Sequence, residues 1–198
     1  MVRCLKVLVL IVGFLSPGLV AASGSQPSPP GLTGGACAGW FAIRGEDFDE
    51  TDGAPGIDVH VGSSLWRTFG LSIGVHYSDH GMTTRLPRDA SLYGLYIEPR
   101  VTFDRPVGRV FPFFGARVAM MRRDVADSES SFSLRTEGYA LGGSGGFVFH
   151  LAGPAWIEAE VIVTHLSLDS YTVDTRPDKG MLVVVQIGVS VEVGSTHH

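Results

Sequence analysis

The chain has 198 residues, 44% hydrophobic and 18% charged, with a formal net charge of −5. That is the size of one domain, and its acidic balance excludes the clustered Lys and Arg on which nucleic-acid binding relies. Only Cys4 and Cys37 are present, and Cys4 lies in a removable leader, so a disulfide framework is excluded and a lone thiol remains.

Residues 1–22 have the anatomy of a secretory signal peptide. Arg3 and Lys6 make a basic start, Val7 to Leu15 an apolar core, and Val20-Ala21-Ala22 a run of small residues before a cut at Ser23. The apolar run breaks at Ser16-Pro17-Gly18, short of the roughly 20 residues that a membrane helix needs. Residues 23–36 (SGSQPSPPGLTGGA) are rich in Pro, Gly and Ser and read as a flexible leader.

From Cys37 onward, eight segments put apolar residues on one parity and small, polar or charged ones on the other, the period of a two-faced strand. The first, Cys37 to Arg44, alternates weakly and sets Phe41 and Ile43 against Ala42 and Arg44. Ile57 to Leu65 sets Ile57, Val59 and Val61 against Asp58, His60 and Gly62. Phe69 to Tyr77 sets Leu71, Ile73 and Val75 against Ser72, Gly74 and His76. In the fourth, Tyr93, Leu95, Ile97, Val101 and Phe103 oppose Tyr96, Glu98 and Arg100. In the fifth, Phe111 to about Arg122, Phe114, Val118 and Met120 oppose Gly115, Arg117 and Ala119. The glycine-rich sixth, Tyr139 to Leu151, opposes Leu141, Phe147 and Phe149 to Gly142, Ser144 and His150. The seventh opposes Ile157, Val161 and Val163 to Glu158, Glu160 and Thr164. In the eighth, Met181 to Val193 on odd positions face away from Gln186, Gly188, Ser190 and Glu192.

Connections alternate in length. Residues 65–68, 104–109 and 152–154 are short turns, whereas 45–56, 78–91, 123–137 and 167–180 are longer and polar. Short turns at one end and long loops at the other are the mark of an outer-membrane barrel. The pattern predicts an all-β fold, an eight-stranded antiparallel up-and-down transmembrane β-barrel over residues 37–193, with a short tail at 194–198. Apolar residues face lipid and polar ones the axis. A soluble lipocalin-like carrier is the alternative with the opposite sidedness.

Arg109 to Ala116 (RVFPFFGA), the run Gly142 to Phe147 (GGSGGF) and Ile157 to Ser167 closing in Thr164-His165-Leu166-Ser167 resemble strand entries and closing hairpins of small outer-membrane β-barrel proteins, the OmpA/OmpX-like group. The resemblance spans residues 37–193. It implies the bacterial outer membrane as location, outer-membrane lipid and lipopolysaccharide as surroundings, and the barrel-assembly machinery as a partner. Such chains usually end on an aromatic residue, and this one ends in Gly194-Ser195-Thr196-His197-His198.

An eight-stranded lumen is just wide enough for side chains to fill it, and charges within must pair. The expected network comprises Arg44, Asp58, His76, Glu98, Arg100, Arg117, Glu158, Glu160 and Glu192, which plugs the pore. His165 and Ser167, outward near the loop rim, form the candidate catalytic pair of a lipid A deacylase, with Asp169, Asp174 or Asp178 as acid. That family places an Asn after the serine, where this chain has Leu168. Asp47, Asp49, Glu50 and Asp52 make the first loop acidic, with its glycine one place off a calcium loop. The seven histidines show no metal-ligand spacing. The expected function is therefore non-enzymatic, with no cofactor or metal: a structural or surface-interaction barrel acting through four external loops, with lipid A deacylation as the rival.

Overall fold

The computed structural model describes residues 31–48, 51–65, 68–82, 88–103, 110–127, 133–170 and 177–193. The signal peptide, residues 23–30 of the leader and the tail at 194–198 lie outside them. Eight antiparallel strands follow one another around a closed barrel: β1 (Leu32–Arg44), β2 (Ala54–Ser64), β3 (Phe69–Met82), β4 (Arg88–Thr102), β5 (Val110–Asp127), β6 (Ser133–Ala152), β7 (Ala155–Ser170) and β8 (Asp178–Val193). Closure is made by β1 on β8, in unbroken register from Leu32 opposite Val193 to Arg44 opposite Met181. The β6–β7 turn is tight and uses Gly153 at φ +55°, a conformation that costs glycine nothing.

Sidedness is that of a barrel in lipid. Val161, Val163, Val185 (56% exposed) and Ile187 (61%) face outward, while Glu98 (0%) and Glu160 (2%) are buried inside. This arrangement rules out the carrier, whose apolar face would line the axis.

Two expectations need correction. β1 begins at Leu32, five residues before the expected Cys37, so residues 32–36 belong to the wall and not to a leader. Gly34, Gly35 and Ala36 look like linker by composition, yet their backbones pair with Val61, His60 and Val59 on one side and Val191, Ser190 and Val189 on the other. The facing of β1 is also reversed. Phe41 (1%) and Ile43 (2%) point inward, level with Val184 and Leu182, and Arg44 is exposed outside. Trp40 and Phe41 put one aromatic on each face, so alternation alone was ambiguous there.

The strands also outrun their expected ends on the long-loop side. β3 continues to Met82, β4 starts at Arg88, β5 reaches Asp127 and β6 starts at Ser133. Beyond the apolar band the outer face turns polar, so the alternation that marked the strands stops while the backbone ladder continues and Ala90, Leu92 and Val125 stay buried inside. At 20 residues, β6 is about twice the 9–11 that a tilted strand needs to cross.

Replacing Val161, midway along β7 on the lipid face, with Arg should lower stability by about 2–4 kcal/mol. Urea unfolding of the barrel refolded in lipid vesicles measures this, and Gln186→Asn at an inward site of β8 should cost less.

Candidate functional site

The lumen is built in layers. At the short-turn end, Phe111, Phe113 and Trp156 are buried, with Phe111 and Trp156 edge to face at 5.8 Å between centroids. Above them sits the ionic layer. Arg100 donates to Glu98 through Nε, to Glu158 through Nη1 at 2.5 Å and to Glu160 through Nη2 at 3.3 Å. Arg117 donates from Nε to Glu98 at 2.5 Å and from Nη1 to Asp58 at 3.5 Å. His60 lies between Asp58 (3.3 Å from Nδ1) and Glu158 (3.7 Å from Nε2).

Neutral groups complete the layer. The Tyr96 hydroxyl donates to Asp58 at 2.7 Å, and the Gln186 amide donates to Glu160 at 2.8 Å. The Tyr96 ring carries Arg117 on its face, with Cζ 3.7 Å from the centroid, and Phe113 carries Arg100 at 4.5 Å. Tyr96 finds this position because Gly74 stands beneath it: a Cβ there would lie 2.5 Å from its hydroxyl oxygen.

Of the expected network residues, Asp58, Glu98, Arg100, Arg117, Glu158 and Glu160 are brought together. Arg44 is not, because β1 turns it outward. His76 is buried and inward, beside Phe41 and the Tyr96 ring at 5.6 and 6.4 Å, yet neither ring nitrogen has a hydrogen-bond partner among the described residues. Glu192 sits at the short-turn rim, where Gly31 N–H donates to it at 3.4 Å, away from the cluster. Tyr96 and Gln186 were legible as inward residues of β4 and β8, but nothing in the spacing marked them as partners of Asp58 and Glu160.

A cavity of about 90 Å³ lies at the short-turn end. It runs from Thr33, Ser72 and Thr102 up to His60, Arg100 and Glu158, and it has room for a few waters. Toward the long loops the lumen turns apolar. Phe41, Ile43, Leu92, Met121, Ile162, Leu166, Leu168, Leu182 and Val184 form one buried cluster. A polar interior was expected; here packed hydrocarbon fills the narrow pore, with His76 buried beside Phe41 at its lower edge.

The first long loop closes this end. Its 3-10 turn, Glu46–Phe48, inserts Phe48 (2% exposed) into the apolar cluster. Arg123 lies over the Phe48 ring at 5.1 Å and donates to Thr51 Oγ1 at 3.0 Å. Lys179 N–H donates to the Asp47 carboxylate at 2.9 Å, and Asp52 N–H to Gly81 O at 3.0 Å. His80 donates from Nδ1 to the Asp52 carbonyl at 2.8 Å, so the neutral ring accepts the Ser78 hydroxyl at Nε2, also at 2.8 Å. The acidic loop is thus partly spent on strapping. Asp49 and Glu50 lie outside the described residues.

His165 is exposed on the outer wall, and Ser167 beside it is nearly covered at 7%. No hydrogen bond joins them, and Asp169 and Asp178 bond to neither among the described residues; Asp174 lies outside them. Among the described residues no three His, Cys, Asp or Glu side chains converge on a metal site.

A closed eight-stranded barrel with an apolar exterior and a packed, ion-paired interior defines a small transmembrane β-barrel of the outer-membrane kind. Solved structures share the fold. Neisserial surface protein A matches at 16% identity and TM-score 0.65, over 81% of this chain and 96% of that one. OprG of Pseudomonas aeruginosa matches at 14% and 0.55, over 83% and 95%. Ail, the attachment invasion locus protein of Yersinia pestis, matches at 10% and 0.54, over 82% and 99%. No protein-family model matches the sequence, nor does any curated protein.

Arg117→Met should cost about 3–5 kcal/mol, because removing one partner strands buried Glu98 and Asp58. Denaturant unfolding in vesicles tests it, with the exposed Arg135→Met leaving the midpoint unchanged.

Proposed function

We propose that this protein is a non-enzymatic barrel of the bacterial outer membrane, with a closed lumen, that serves as an envelope structural element or presents its four long loops to surface partners. The observation that carries this reading is the continuous filling of the lumen. The ionic layer of Arg100 and Arg117, the apolar cluster above it and the inserted Phe48 leave no through path along the described wall. A barrel filled in this way has only its lipid-facing wall and its loop end with which to meet other molecules. The external strand extensions, polar on their outer face and packed inside by Ala90, Leu92 and Val125, support a loop platform held clear of the bilayer. Outer-membrane lipid and lipopolysaccharide are its surroundings, and the barrel-assembly machinery inserts it.

Ail bears the name of an attachment protein, and a solved structure holds it in complex with the heparin analogue sucrose octasulfate. Attachment is therefore within the reach of this architecture, although fold alone does not transmit it.

Purified barrel in planar bilayers should add no steady conductance at neutral pH; discrete open steps would overturn the closed-lumen reading. Incubation with lipopolysaccharide should release no fatty acid, and a release abolished by Ser167→Ala would install the deacylase instead. Cells carrying loop-shortened variants should keep a heat-modifiable barrel while losing any surface binding that the intact protein confers.

A further inference from the structure

The ionic layer is short of positive charge. Asp58, Glu98, Glu158 and Glu160 bring four carboxylates, against two guanidiniums from Arg100 and Arg117. Glu98 takes both arginines, Arg100 on Oε1 and Arg117 on Oε2. Tyr96 and Gln186 lend hydrogen bonds to Asp58 and Glu160 but no charge. Arg100 meets Glu158 through Oε1, and Arg117 meets Asp58 through Oδ2 at 3.5 Å. The other oxygen of each of these two carboxylates faces His60.

His60 is 4% exposed, with Nδ1 3.3 Å from Asp58 Oδ1 and Nε2 3.7 Å from Glu158 Oε2. An ionised carboxylate only accepts hydrogen bonds, so a neutral imidazole would set a bare lone pair against one negative oxygen. The imidazolium donates on both sides. The ring fits because β1 carries Gly35 beside it, where a Cβ would lie 2.6 Å from Nε2. Around it, Glu98 and Arg100 come from β4, Arg117 from β5, and Glu158 and Glu160 from β7. His76 of β3 lies beyond Asp58, and the Cys37 thiol of β1 beside Glu158. β6 and β8 add the neutral Ser144, Gln186 and Ser190. The cavity at the short-turn end runs from exposed Thr68 to the His60 ring, a route for solvent protons.

We propose that His60 is the third cation of the plug, an imidazolium held between Asp58 and Glu158, and that it makes the plug sensitive to pH. The inference rests on the packed lumen described above and goes beyond its closure. Loss of the ring proton leaves two buried carboxylates beside a neutral group, and a buried ion stripped of its partner is strongly destabilising. Histidine in an unfolded chain titrates near about 6.5, so above that pH the unfolded protein has given up the proton that the folded layer keeps. Folding then binds a proton, and stability falls as pH rises.

The test has two readouts. Nitrogen-15 spectra of the histidine-labelled barrel in lipid nanodiscs, assigned by sequential connectivity, should show both His60 ring nitrogens protonated at about pH 7.5, a pH above the ordinary imidazole range. In urea unfolding from lipid vesicles between about pH 7 and pH 8, the unfolding constant should rise about tenfold more per pH unit for the native sequence than for His60→Gln, the effect of one proton. A His60 ring with one bare nitrogen at that pH, or equal slopes in the two proteins, would overturn the proposal. Where His60→Gln does not refold, the nitrogen spectrum of the native protein decides alone. Planar-bilayer conductance reports closure separately: a leaking barrel that keeps a doubly protonated His60 refutes the closed-lumen reading and leaves the third cation standing.

Discussion

Everything in this molecule follows from the need to pair every backbone N–H and C=O inside hydrocarbon, where an unpaired group costs several kcal/mol. Pairing β1 with β8 through thirteen consecutive registered positions removes both sheet edges at once. Glycine and alanine at positions 34–36 take part in that seam although they offer almost no side chain. Their contribution is backbone. The seam therefore depends on ladder geometry and not on the apolar pattern that marks the other strands.

Closure with eight strands sets the radius, and the radius sets the chemistry of the interior. A pore this narrow cannot hydrate isolated charges, so Asp58, Glu98, Glu158 and Glu160 persist only because Arg100 and Arg117 reach all four. Both guanidiniums lie against aromatic faces, which desolvates them and holds their planar donors in place. The layer above needs no such arrangement and is hydrocarbon. The result is a plug with ionic and hydrocarbon layers stacked along one axis, covered by Phe48 at the long-loop end and with a small cavity at the short-turn end.

The exterior obeys the same division more loosely. Aliphatic rows meet the lipid, tyrosines follow, and Arg122, Glu137 and Asp169 mark where charge becomes affordable again. Strands continue past that line because hydrogen-bonded ladders persist in water as well as in lipid.

The alternating parities of β2 to β8, the short and long connections and the sidedness of the wall were readable from the sequence alone. A side-chain period of two is a local property, and lipid selects which parity is apolar. Seven of the nine expected lumen residues likewise lie inside as parity places them, six of them in the ionic layer and His76 beside the apolar cluster. Only the tertiary structure decided the rest: that β1 begins at Leu32, that Arg44 faces out while Phe41 and Ile43 face in, that Tyr96 and Gln186 complete the ionic layer, and that Phe48 enters the mouth. Each depends on register between strands distant in sequence, and a residue's own neighbours along the chain carry no record of which residue stands across from it.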